Sequence, residues 1–209
     1  IGVILLDLVI TQKRPLVLMS ILGILLAANF TLPLAGEEIG GTSFSGMLVV
    51  DDFAVVFKFL FLLSTLLVIL ASVEYTRRFP ALQVEYYALL LLACAGMMLM
   101  ASSGDFVLLY LSLELTGISL AVLAGFLKDA RSGEAGMKFL LLGAISSAVL
   151  LYGMAVFLGL TGTTNIRQMA PLLAQGFQEN RLPIMLGVVL LTAGFGFKMA
   201  TVPFQMWVP

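Results

Sequence analysis

The chain contains no histidine and one cysteine, Cys94, set in an apolar run. A structural disulfide, a cysteine-held iron–sulfur cluster and a structural zinc site each need several such ligands, so this chain alone builds none of them. The lack of histidine excludes a histidine-ligated haem. Charge is scarce as well. Only 11% of the 209 residues are charged, against about a quarter in a soluble domain. The formal net charge of −1 gives no electrostatic footprint for nucleic acid. No phosphate-binding loop of the GxxxxGK[ST] type is present. Gly194-Phe195-Gly196 lies inside an apolar segment and lacks the third glycine of a dinucleotide fingerprint, so it reads as helix-packing glycine. Redox or nucleotide chemistry would have to belong to partner chains.

What is present is hydrocarbon. Apolar residues make up 61% of the chain, and the mean hydropathy is +1.11. There is too little polar surface to clothe a water-soluble body, so the expected solvent is lipid. A bilayer core needs about 20 apolar residues per helix. Ile1–Ile10 is too short and reads as the tail of a first helix. Six further spans follow: Leu16–Leu34, Phe53–Val73, Leu82–Ala101, Phe106–Leu127, Gly136–Leu160 and Leu182–Val202. The runs are continuously apolar and rich in Leu, Ala and Met. They lack the alternation of a membrane barrel, so strands are not expected. The chain begins at Ile1 inside one apolar stretch and stops at Pro209 just after another, with no signal-peptide pattern. We expect a single all-α membrane domain that is a piece of a longer protein. Residues 1–101 would hold the first four helices, and 102–209 helices five to seven.

Basic residues orient the spans. Lys13, Arg14, Arg77, Arg78, Lys128 and Arg131 fall in one set of connections. The alternate set has only Arg167 and Arg181, and carries Glu37, Glu38, Asp51, Asp52 and Asp105. The positive-inside bias puts the first set in the cytoplasm. The connection 161–181 also holds Ile166–Phe177, a weakly amphipathic stretch suited to lying on the membrane surface.

Besides Glu85 at the mouth of the fourth span, four charges fall within spans, where one at the helix centre costs roughly 2.5–3.5 kcal/mol. Glu114 lies about a dozen ångströms into the fifth span, too deep for its short stem to reach water. It is either a hydrogen-bonded lock between helices or an ion or proton site, and the second reading is preferred. Lys198 lies deep in the seventh span, five residues before Pro203, which is expected to break the helix near Thr201–Phe204. A lysine beside a broken helix fits a polar path through the membrane; snorkelling to the headgroups is the alternative. Trp207 would then serve as an interface anchor. Lys138 sits near the cytoplasmic end of the sixth span, where snorkelling and function are evenly matched. For Lys58, near the outer end of the third span, snorkelling is favoured. Tyr110, Ser112, Thr116 and Ser119 flank Glu114 as hydrogen-bonding or packing residues.

A carboxylate about 4 Å from an ammonium stabilises it by about 4 kcal/mol at an effective dielectric of 20. Making and breaking one Glu114–Lys198 contact would swing the lysine between holding and releasing its proton. That swing is large enough to work against a membrane potential, where each charge costs about 2.3 kcal/mol per 100 mV.

Three segments carry a resemblance. Leu113-Glu114-Leu115-Thr116-Gly117-Ile118-Ser119, the stretch Glu134–Ala144 around Lys138, and the stretch Gly194–Pro209 around Lys198 and Pro203 are similar to the subunit N family of proton-translocating NADH–quinone oxidoreductase. That complex is respiratory complex I, whose mitochondrial and chloroplast counterparts are called subunit 2. Lysine, proline and an aromatic-bearing loop in this order typify the antiporter-like superfamily. The resemblance implies a fold of about fourteen helices with two inverted five-helix repeats and a broken seventh helix; this chain would be its N-terminal half. It implies a pairing of Glu114 with Lys198 and a place for Lys138 on the proton route. It also implies membrane and peripheral partner subunits that supply flavin, iron–sulfur clusters and the quinone site, and a place in the bacterial inner membrane. One position departs: many members carry histidine where this chain has Gln205, and glutamine carries no proton at neutral pH. A cation/proton antiporter subunit, a membrane-bound hydrogenase subunit and a purely structural scaffold are the competing readings.

Overall fold

The computed structural model describes residues 14–34 and 41–205. The expected first span and Trp207 lie outside these residues. Seven α-helices and one small hairpin make up the described fold: α1 Arg14–Thr31, strands β1 Gly41–Ser43 and β2 Leu48–Val50, α2 Asp52–Tyr75, α3 Gln83–Ala101, α4 Phe106–Ala124, α5 Ala130–Thr161, α6 Ile166–Gln175 and α7 Arg181–Lys198. All but α6 are long and apolar enough to cross a membrane. They correspond to the six full spans read from the sequence.

Helices α2, α4, α5 and α6 start on side chains that accept the first free amides. Asp51 Oδ1 accepts from Ala54 N at 2.8 Å to open α2, and Asp105 Oδ1 accepts from Val107 N at 2.8 Å to open α4. Asp129 and Ser132 form a reciprocal capping box at the start of α5. The Ser132 backbone amide and then its hydroxyl hold the Asp129 carboxyl below the ordinary carboxylate range. This cap places the start of α5 six residues before the expected Gly136. At 32 residues α5 is about 48 Å long, more than a bilayer core about 30 Å thick, so hydropathy alone could not find its polar first turns.

The alternate connections meet at one end of the bundle, as the charge pattern requires. Val49 N donates to Ser102 O at 2.8 Å and Gly104 N to Met47 O at 2.8 Å. Phe106 N donates to Thr164 O at 2.9 Å and Ile166 N to Gly104 O at 3.0 Å. The buried Asp105 ties the knot further by accepting from Thr164 Oγ1. The hairpin β1–β2 belongs to this cap, and among the described residues it is where the expectation of no strands fails. Its turn uses Phe44, Ser45 and Gly46 at positive φ, a local geometry that the search for membrane-length segments passes over. At the opposite end the rings of Phe79, Tyr86 and Phe126 pack together, with centroids 5.3–5.8 Å apart. The stretch read as weakly amphipathic is helix α6. Its Met169 is buried against Phe157 of α5 and Ile184 of α7.

Two close approaches fix the half of the bundle that carries the charges. A Cβ on Gly136 would stand 2.8 Å from Gly125 Cα, so α5 begins pressed against the end of α4. A Cβ on Gly194 would stand 2.7 Å from Leu150 Cβ and 2.9 Å from Leu150 Cα, so α7 lies directly on α5. The GxG is therefore a packing device, as read. We expect Gly194→Val to force these helices apart and to lower stability by about 1–3 kcal/mol. Thermal unfolding in detergent checks this, and an unchanged midpoint would contradict the packing assignment.

Candidate functional site: a half-buried carboxylate–ammonium pair

Helix α7 ends at Lys198, three residues before the expected break. Ala200 adopts φ 52, and two reversed hydrogen bonds close the turn: Ala200 N to Phe197 O at 3.0 Å and Thr201 N to Gly196 O at 2.9 Å. This is a Schellman stop, completed without a glycine at the left-handed position. Pro203 follows the stop rather than making it. Lys198 is thus the last helical residue, beside carbonyls at the negative end of the helix dipole, a favourable place for a cation.

From there the lysine reaches α4. Lys198 Nζ donates to Glu114 Oε1 at 3.0 Å, with side-chain exposures of 17% and 25%. Gly117, one turn along α4 from Glu114, leaves the passage open: a Cβ there would lie 3.7 Å from Nζ. The same carboxylate oxygen also accepts from Ser147 Oγ of α5. Three helices therefore meet on one oxygen. A cavity of about 450 Å³ borders the lysine, lined among others by Met97, Thr116, Phe139 and Phe195.

The other expected residues fall elsewhere. Ser112, Thr116 and Ser119 donate to carbonyls of their own helix, at 2.6, 2.9 and 2.7 Å, and do not hold Glu114. Tyr110 lies one turn from Glu114 and interacts with it electrostatically. Lys138 is not brought to the pair. Nine positions separate it from Ser147, which at about 100° per residue puts the two on opposite faces of α5. It pairs instead with Glu134, Nζ to Oε1 at 2.5 Å, both side chains more than half exposed. Lys58 is half-buried, and Gln205 is exposed in the turn after the α7 stop.

Ser147 escaped the sequence reading. A serine in an apolar helix is ordinarily a packing residue, and only the crossing of α4 and α5 turns it toward Glu114.

Residues 103–209, which contain Glu114, Lys138, Ser147 and Lys198, match the family described as NADH:quinone oxidoreductase/Mrp antiporter, transmembrane. The chain belongs to this family. Among its relatives is the NADH-quinone oxidoreductase subunit N of Dehalococcoides mccartyi, 42% identical over 212 residues, an alignment covering 99% of this chain and 44% of the relative. A subunit chain of respiratory complex I from Thermus thermophilus superposes with a TM-score of 0.78 at 30% identity, covering 99% of this chain and 43% of that one. A chain of the membrane-bound sulfane sulfur reductase, an archaeal respiratory membrane complex, superposes at 0.79 with 26% identity, covering 94% and 42%. The chain thus spans less than half the length of the relatives it matches. Bacterial relatives and six membrane-length helices make this NADH:quinone oxidoreductase/Mrp antiporter family member a multi-pass protein of the bacterial inner membrane. Its helical bundle has the antiporter-like fold of those subunits.

Proposed function

We propose that the chain is part of the proton-translocating membrane subunit of an NADH–quinone oxidoreductase, with Glu114 and Lys198 as the exchanging pair. The observation that carries this reading is the 3.0 Å contact between Lys198 Nζ and Glu114 Oε1 inside the bundle. An ammonium held against a carboxylate keeps its proton. Separated from it within a low-dielectric site, the ammonium loses that stabilisation and gives the proton up. A conformational change of the complex that opens and closes this contact would move one proton per cycle.

In this reading the chain supplies the proton path. Other membrane and peripheral subunits supply the flavin, the iron–sulfur clusters and the quinone site. Lys138 is a further station near the cytoplasmic side.

A second reading, a subunit of a related ion-translocating complex that uses another electron donor, draws support from the comparable likeness to the sulfane sulfur reductase chain. Genome neighbourhood separates the two: genes for other complex I subunits beside this one would favour the first reading.

The test is Lys198→Met in the complete subunit within its assembled complex. Proton pumping into inverted membrane vesicles is expected to be lost while the complex still assembles. Normal pumping by this variant would remove the proposal.

A further inference from the structure

Hydroxyls inside apolar helices usually satisfy themselves on the carbonyl one turn back, and in this bundle Ser20, Thr65, Ser112, Thr116 and Ser119 do so. Ser146 and Ser147 do not. Ser146 Oγ donates across to the Gly194 carbonyl of α7 at 3.1 Å, and Ser147 Oγ donates to Glu114 Oε1 of α4. Both serines are buried. Two adjacent residues of α5 therefore hold both members of the ion pair. One grips the turn of α7 that ends in Lys198, and the other grips the carboxylate.

We propose that Ser147 is a positioning residue for the Glu114–Lys198 pair, its hydroxyl remaining on Oε1 when the lysine departs, while Ser146 keeps the last turn of α7 in place. The inference rests on the proton-transfer reading above.

The reason is the cost of the open state. A carboxylate stripped of its only partner inside the bundle is strongly disfavoured. A neutral hydroxyl held on Oε1 offsets part of that cost, because its bond to the carboxylate strengthens once the ammonium no longer shares that oxygen. It makes the contact reversible where an isolated pair would stay shut. Without the hydroxyl the contact opens less often, and proton transfer through the site slows about tenfold, the scale of one lost hydrogen bond to a charged group.

Valine and threonine differ at this position by one hydroxyl, which makes them the informative pair. Ser147→Val, Ser147→Thr and Lys198→Met are to be compared in the complete subunit within its assembled complex. Assembly is followed on native gels and pumping in inverted vesicles. We expect all three to assemble, Ser147→Val to pump about tenfold more slowly, and Ser147→Thr to stay near the unsubstituted rate. A purely structural role would make the two Ser147 variants alike. Undiminished pumping by Ser147→Val, or equal impairment in Ser147→Thr, overturns the inference. Should Ser147→Val fail to assemble, Ser147→Ala carries the same expectation. An inactive Lys198→Met beside a fully active Ser147→Val refutes only the positioning role. A fully active Lys198→Met refutes the underlying reading as well.

Discussion

Glu114→Gln is expected to slow proton translocation by about tenfold or more while leaving the helices in place. The amide preserves the shape of the side chain, and its oxygen still accepts from Ser147 and Lys198. What disappears is the negative charge. At 3.0 Å a unit charge pair is worth about 5 kcal/mol at an effective dielectric of about 20. That is roughly two charges' worth of a 100 mV membrane potential, at about 2.3 kcal/mol each. A neutral partner offers only a fraction of this, so making and breaking the contact no longer drives the lysine between its two states. Pumping in vesicles should fall by about tenfold or more, with assembly near normal. A glutamine variant that pumps at the original rate would show that the carboxylate only locks the helices together.

The second large effect concerns stability, and it separates the charges' mutual dependence from their separate packing. Glu114→Leu leaves the Lys198 ammonium, with 17% side-chain exposure, facing an apolar group. Removing one member of a buried pair is strongly destabilising because the other charge stays uncompensated. Here the site retains some exposure, so the expected loss is about 1–3 kcal/mol, below the range for fully buried pairs. Adding Lys198→Met removes the uncompensated charge, and the double variant is expected to recover most of that loss. Thermal unfolding of the two single variants and the double one in detergent gives the coupling directly. Additive losses would mean that the two side chains do not share a site. A proton-conducting subunit bearing both substitutions should still assemble without pumping, whereas a scaffold built on this pair would lose assembly.

Much of the architecture was legible because hydrocarbon leaves few choices. Continuous apolar runs fix where helices cross, and the lysine and arginine pattern sorts their connections into two sets. The hydrogen-bonded knot of 41–51, 102–105 and 162–166 puts one of those sets together at one end. Glu114 and Lys198 stood out for the same reason: charge is rare at membrane depth, so each such residue calls for a partner. Where the elements stop was less legible. Proline is the conspicuous breaker near residue 203, yet the helix ends earlier through Ala200 in a left-handed conformation, a turn that no residue type announces. The start of α5 was hidden because its first turns are polar and stand beyond the apolar run.

A membrane helix bundle with an acid and a lysine placed where charge is costly can be read from residue order alone. Apolar length and the position of charges are properties of that order. Which charges meet depends on how the helices pack. The Gly194–Leu150 approach sets α7 on α5, and Ser147 carries α5 to α4, so that Lys198 lands on Glu114. Lys138 does not join them, because a helix turns about 100° per residue and Lys138 comes out on the far side of α5 from the carboxylate.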